Sequence, residues 1–245
     1  MGQVSDPPFF KVKILAVGPH PDDIEFGCAP VLIQEIRNGN QARIAVLSKG
    51  EAGSHGTPEE RAEEARAAAR VMGVEIEFLG GLLDRAGDCH LRHSPENAFV
   101  IAAEIRRYQP RIVLAPHPDE NQHPAHSAAA RLVRDAARLA RYGGLTELRH
   151  LPPHAIGNLY FYSITQTSLS NPDIVIDVSS IECQWEAAIA CHASQMKSKA
   201  YLNLVQTRAR ALGASIGVSS AVGLWVNDPV RLASLSDLTL SSRNF

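Results

Sequence analysis

The chain has 245 residues, 45% of them apolar and 20% charged. These values are close to globular averages, so disorder, collagen and coiled coil are excluded for most of it, and the length suits one core rather than three domains. Its 24 basic and 26 acidic residues give a net charge of −2, which excludes a sequence-wide basic field for nucleic acid and an acidic solvating tail.

The N-terminal stretch MGQVSDPPFFKVK lacks the apolar core of a signal peptide. Asp6 stands where a myristoylation signal needs Ser or Thr. Val12 to Val17 reads as a short β-branched strand stopped by Gly18-Pro19. After PHPDD, the run from Glu25 to Arg37 has helical apolar spacing, and Gly39 closes it. Ala42 to Ser48 reads as a second buried strand, followed by the loop GEAGSHG. Thr57-Pro58-Glu59-Glu60 is a helix start with a cap, a proline at N1 and a glutamate at N3; that helix ends at Gly73.

Glu75 to Leu79 is the third strand candidate, and Gly80 to Ser94 is loop-like. Pro95 to Tyr108 has a helical pattern, Arg111 to Ala115 is a fourth strand ending at PHPDENQHPAH, and Ser127 to Tyr142 is another helix. This alternation predicts an α/β, Rossmann-like, mostly parallel sheet flanked by helices. Further on, Leu159 to Ile164 and Ile174 to Val178 read as strands, and Cys183 to Ser194 and Tyr201 to Leu212 as helices. No linker divides the halves, so a single domain over 1–245 is expected, its less regular C-terminal part completing the same domain. Segments 1–10 and 236–245 are expected to be loose.

None of the four cysteines sits in CxxC. That spacing disfavours a zinc ribbon or a disulfide scaffold and fits a reducing cytoplasm. No apolar run reaches the ~18 residues of a membrane helix. Cys28 and Cys191 lie on apolar helix faces and read as core residues. Trp185 and Trp225 suit a core or a subunit contact, and a homo-oligomer is expected. His55 reads as a solvated loop residue, and His90, His93, His150 and His154 as surface residues.

Two clusters carry the chemistry. In PHPDD, directly after the first strand, His20 and Asp23 are three residues apart, which in a tight turn brings imidazole and carboxylate to one centre. Its paired aspartates let one hold metal while the other stays free as a base. The second cluster, after the fourth strand, contains His117, Asp119, Glu120, His123 and His126. In an open α/β sheet both strand ends can border one crevice. A third zinc ligand and a proton-transferring histidine are both available there. The bland alternative for each motif alone is a turn whose aspartate caps a helix.

Taken with their flanks, these motifs resemble the zinc-dependent de-N-acetylases of the PIG-L/LmbE superfamily, and most closely the N-acetylglucosaminyl-malate deacetylases of bacillithiol synthesis. The resemblance runs from ILAVGPHPDD through GxxGTPEERxxEA, the Asp84-Arg85 turn, RRYQPRIVLAP, HPxH, IDVS and Ser194-Gln195 to ARALGxxIGV. It implies Zn²⁺ held by His20, Asp23 and His126, with Asp22 as general base and His123 stabilising or protonating the tetrahedral species. It also places Arg61 and His192 at the substrate, a small amino-sugar conjugate. The chain departs from the family at Ala125, where HPDH has aspartate orienting the active-site histidine, and at Gln122, often arginine in the bacillithiol enzymes. It departs again at His192, where they carry tyrosine, and at Ser220-Ala221-Val222-Gly223-Leu224, where they read Tyr-Ala-Glu-Gly-Phe. These changes leave the metal set intact and bear on the malate-bearing part of the substrate.

The expected activity is hydrolysis of an N-acetyl group from an N-acetylglucosamine-type conjugate. Two other classes stay open: a non-catalytic zinc-binding homologue, motivated by Ala125, and a magnesium phosphoryl-transfer protein. Magnesium's preference for oxygen ligands opposes the second, given His20 and His126.

Overall fold

A computed structural model describes residues 11–84, 87–165, 169–197, 200–237 and 241. Arg85 and most of the two segments expected to be loose lie outside these described residues. The strands are β1 (Lys13–Gly18), β2 (Gln41–Val46), β3 (Glu75–Phe78), β4 (Ile112–Pro116), β5 (Asn158–Tyr162), β6 (Ile174–Asp177) and β7 (Ala221–Val226). They form one sheet in the order β3-β2-β1-β4-β5-β7-β6. Pairing is parallel from β3 to β5, and β7 runs antiparallel to both β5 and β6.

Alternation along the buried strands divides the interior in two. Ile14 and Ala16 of β1 and Leu114 of β4 face one apolar layer, while Leu15, Val17, Val113 and Ala115 face the other. Helices α1 (Asp23–Gly27), α2 (Ala29–Arg37), α6 (Glu182–Ala190) and α7 (Tyr201–Ile216) pack into the first layer. Helices α4 (Pro95–Tyr108) and α5 (Pro124–Ala140) pack into the second. Strand order reverses between β1 and β4, the position where open α/β sheets bind ligands at the strands' carboxyl ends. PHPDD leaves β1 there, and HPAH opens α5 after β4.

Helix α3 (Pro58–Met72) has the expected capping box: Glu60 N–H donates to Thr57 Oγ1 at 3.1 Å, and Thr57 N–H to Glu60 Oε2 at 2.8 Å. Elsewhere the structure departs from the expected elements: α6 stops at Ala190 rather than Ser194, and α7 runs on to Ile216 rather than ending at Leu212. The helix expected over 25–37 is broken at Cys28, because Pro30 has no N–H for the Phe26 carbonyl and its ring excludes a continuous turn. Helix α5 begins at Pro124, three residues earlier than expected, because His123 caps it and Pro124 occupies its first turn. Strand β7 is an element that the sequence pattern does not announce. Gly223 interrupts its apolar run, and there a Cβ would lie 2.7 Å from the Pro172 Cβ.

Candidate active site

A cleft of about 180 Å³ opens at the reversal point, lined by both motifs together with Arg61, Asp88 and Gln195. At its floor His20, Asp23 and His126 are all buried, and one ligand atom from each lies within 4.8 Å of the others. The turn after β1 sets this arrangement: the His20 backbone N–H donates to Asp23 Oδ2 at 2.9 Å, and His20 Nδ1 is 2.9 Å from the same oxygen. His126, on the first turn of α5, brings Nε2 to 3.3 Å from Asp23 Oδ1. One carboxylate thus bridges two imidazoles.

Burial by itself would lower the His20 pKa, but Asp23 and Asp88 raise it to about 10. His126 is likewise lowered by burial and raised further, to about 9, by Asp23 and Glu120. Burial opposes ionisation of Asp23, yet His126 and His20 hold its carboxyl well below the usual range. Two protonated imidazoles around one carboxylate occupy the space of a cation. Two nitrogens and a carboxylate oxygen suit a divalent metal of zinc type. Behind His126, Glu120 Oε2 lies 3.8 Å from Nδ1, while Glu120 Oε1 accepts from Ser163 Oγ at 3.0 Å and Ile164 N–H at 2.7 Å. At that distance no hydrogen bond joins the two, but the buried carboxylate's charge raises the basicity of the ring.

Asp22 lines the cleft beside this cluster, its Oδ1 accepting from Arg61 Nη2 at 3.3 Å. Arg61 is buried and donates through Nη1 to the Gly50 carbonyl at 3.1 Å. The loop GEAGSHG wraps this guanidinium. Gly50 has φ +69°, and a Cβ there would overlap Arg61 Nη1, so a larger residue would be strained and would have to displace the guanidinium. His123 is partly exposed to the cleft. Its Nδ1 accepts from the Ala125 N–H at 3.2 Å, its ring lies 4.7 Å edge-on from that of His20, and its Nε2 is 3.4 Å from Asp88 Oδ1. Burial and the charge of His20 lower its pKa, and Asp88 opposes that shift.

The structure therefore brings six of the seven expected site residues to one cleft, and His192 is the exception. It is 1% exposed, does not line the cleft, and lies with Nε2 3.5 Å from Glu25 Oε1. Its neighbour Gln195 reaches the cleft instead. In the second cluster His117 packs on Trp225 with ring centroids 5.0 Å apart, and Asp119 is exposed, so neither joins the floor. Sequence reasoning missed Asp88 altogether. Its Oδ1 is 2.9 Å from His20 Nε2, and His20, Asp88 and His123 form a second ligand-like group. The two imidazoles hold Asp88 down at about 2 against the effect of burial.

The PIG-L family model, described as GlcNAc-PI de-N-acetylase, matches residues 15–137, half of the chain, and spans both motifs. The chain belongs to the PIG-L family. Among relatives of this PIG-L protein, diacetylchitobiose deacetylase of Thermococcus kodakarensis is 28% identical over 77% of this chain and 72% of its own length. The 4-oxalmesaconate hydratase of Pseudomonas putida is 25% identical over 84% and 83%. The crystal structure of the conserved protein TT1542 from Thermus thermophilus superposes with a TM-score of 0.80 at 32% identity, covering 91% of this chain and 97% of that one. Among the described residues of this PIG-L protein, no helix is long and apolar enough to cross a membrane.

Proposed function

We propose that the chain is a zinc-dependent hydrolase that removes the acetyl group from an N-acetylglucosamine-type conjugate. The observation that carries this reading is the composition of the cleft. A two-imidazole, one-carboxylate cluster has a second carboxylate, Asp22, on one side and a half-exposed imidazole, His123, on the other. Family membership and the deacetylase relative support the choice of substrate class.

His20, Asp23 and His126 would hold the zinc, which supplies Lewis acidity to polarise the amide carbonyl and acidify water. Asp22 is kept in place by Arg61 and takes the proton of the attacking water. His123 faces the developing oxyanion; protonation at Nδ1 would release the bond it accepts there from the Ala125 N–H, and Asp88 favours the charged form. A proton must then reach the departing nitrogen, and two groups in the cleft can carry it, Asp22 and His123. Gln195 and the Arg61 loop form the rim that reads sugar hydroxyls or an anionic aglycone. The protein would act on a small amino-sugar conjugate as a homo-oligomer in a cytoplasmic setting, with one deacetylase domain over 1–245.

The Pseudomonas hydratase relative motivates a second reading, water addition to an unsaturated acid, for which a metal cluster and a carboxylate base also suffice. A panel separates the two. Zinc-loaded protein is incubated with N,N′-diacetylchitobiose, N-acetylglucosamine, N-acetylglucosaminyl malate and 4-oxalmesaconate, then scored for free amine and for loss of unsaturation. Amine from any acetylated sugar supports the deacetylase. Loss of unsaturation alone supports the hydratase, and neither signal supports a zinc-binding homologue without turnover.

A further inference from the structure

A second cavity, of about 210 Å³, lies between α7, β7 and residues 169–172, and none of its lining residues lines the cleft. Its walls are largely apolar, among them Trp185, Val205, Leu212 and Trp225, and one cation, Arg208, opens onto it. Arg208 Nη1 donates to Ser163 Oγ at 3.2 Å and to the Ile164 carbonyl at 2.9 Å. Its Nη2 donates to the carbonyls of Phe26 at 3.1 Å and Ser163 at 3.2 Å. The Phe26 carbonyl is the one that Pro30 leaves without a helical partner.

All four acceptors are uncharged, and among the described residues no carboxylate forms an ion pair with Arg208. Glu120 is one hydroxyl removed, through Ser163. Burial pushes the Arg208 pKa down to about 10, with the charge of Glu120 opposing, so the guanidinium is still charged at neutral pH. A buried cation matched only by dipoles remains electrostatically under-compensated. A site that is mostly apolar with a few convergent polar groups has the composition of a small-molecule pocket.

We propose that this cavity is a binding site for a small aliphatic carboxylate, its head paired with Arg208 and its tail set against Trp185, Val205 and Leu212. All four Nη protons are already donated within the protein, so the carboxylate head would take the remaining Nε–H as a single charge-assisted contact. Phosphate or sulfate fits less well, because Arg208 is the single lining cation among the described residues and the walls offer little else to solvate a second charge. Ser170 and Asn171 add polar groups at the cavity wall, with Ser170 also accepting from Trp225 Nε1.

The chain provides its own reporter. Its two tryptophans, Trp185 and Trp225, both line this cavity and neither lines the cleft. The test is a fluorescence titration of the full chain with isobutyrate and with isobutyramide, its neutral isostere. A saturable change with isobutyrate is expected, with isobutyramide at least about tenfold weaker, as for loss of one charge-assisted contact. Arg208→Gln should abolish that preference. Leu212→Phe, which narrows the cavity and keeps the cation, should weaken isobutyrate binding. No saturable change, equal response to acid and amide, or an unchanged preference in folded Arg208→Gln would overturn the proposal. If Arg208→Gln does not fold, an unchanged isobutyrate affinity in Leu212→Phe overturns it.

Discussion

Asp88 places a carboxylate oxygen 3.4 Å from the Nε2 of His123. The sequence puts alanine at 125, where related motifs carry the acid, and the two nearby acids that could substitute serve elsewhere. Glu120 backs His126, and Asp119 lies beside His117 in solvent. Asp88, from the loop after β3, supplies a neighbouring carboxylate instead, at the other ring nitrogen, Nε2. His123 is already lowered by burial and by His20, and Asp88 raises it. Removing that charge lowers it further, so activity that needs the imidazolium is lost earlier as pH rises. Asp88→Asn should therefore shift the basic arm of kcat toward acid. The check is a pH–rate profile at matched zinc content, and an unmoved arm would separate Asp88 from the titration.

With Asp88 in place, Ala125→Asp should change little, because His123 Nδ1 already takes the backbone N–H of residue 125. A basic arm moved by less than about half a unit is expected, against roughly one unit for gain of a sole carboxylate neighbour. A full unit upward in the same pH–rate measurement would mean that Asp88 does not serve His123.

The two adjacent aspartates should separate cleanly. Asp22→Asn keeps the metal cluster and removes the base, for a loss on the order of 10²–10⁴ in kcat. Asp23→Asn removes the carboxylate that bridges His20 and His126, so zinc content itself should fall. Elemental analysis alongside kcat decides, and zinc lost from the Asp22 variant but kept in the Asp23 variant would reverse the assignment.

Metal uptake should release protons. His20 titrates at about 10 and His126 at about 9, both above pH 7, so both imidazoles are protonated in the metal-free protein. A cation must displace those protons. Release should approach two protons per ion at pH 7, and apparent affinity should rise as pH climbs toward 9. Calorimetry in buffers of different ionisation enthalpy measures this. Uptake without proton release at pH 7 would place the metal elsewhere.

Gly50→Ala should damage both stability and turnover. The residue sits at φ +69°, and its new methyl would displace the Arg61 guanidinium that holds Asp22. The left-handed backbone alone costs at least about 1 kcal/mol. Thermal denaturation and kcat together check it, and wild-type values for both would show that the loop yields without moving Arg61.

The legible parts of this protein are those carried by neighbours in sequence. The βα alternation, the capping box at Thr57 and both metal motifs each fit within a few residues, so local spacing reveals them. Asp88 is invisible to such spacing because it meets His20 from 68 positions away, out of a loop with no periodicity. His192 and Gln195 are three residues apart, and only the turn after α6 decides which reaches the cleft. The break at Cys28 does have a signal, Pro30, which the apolar spacing around it masks. Strand β7 owes its place to pairing with β5 and β6, whose partners are distant in sequence.

The proposed hydrolysis depends on the cluster of His20, Asp23 and His126. The most direct measurement is simultaneous assay of acetate and free amine from N,N′-diacetylchitobiose, N-acetylglucosamine and N-acetylglucosaminyl malate, using zinc-loaded wild type and His126→Ala at equal protein concentration. Equimolar acetate and amine are expected from the wild type and neither from the variant. Equal release by both proteins, or none from any of these sugars with a fully zinc-loaded wild type, would rule out that role for the cluster.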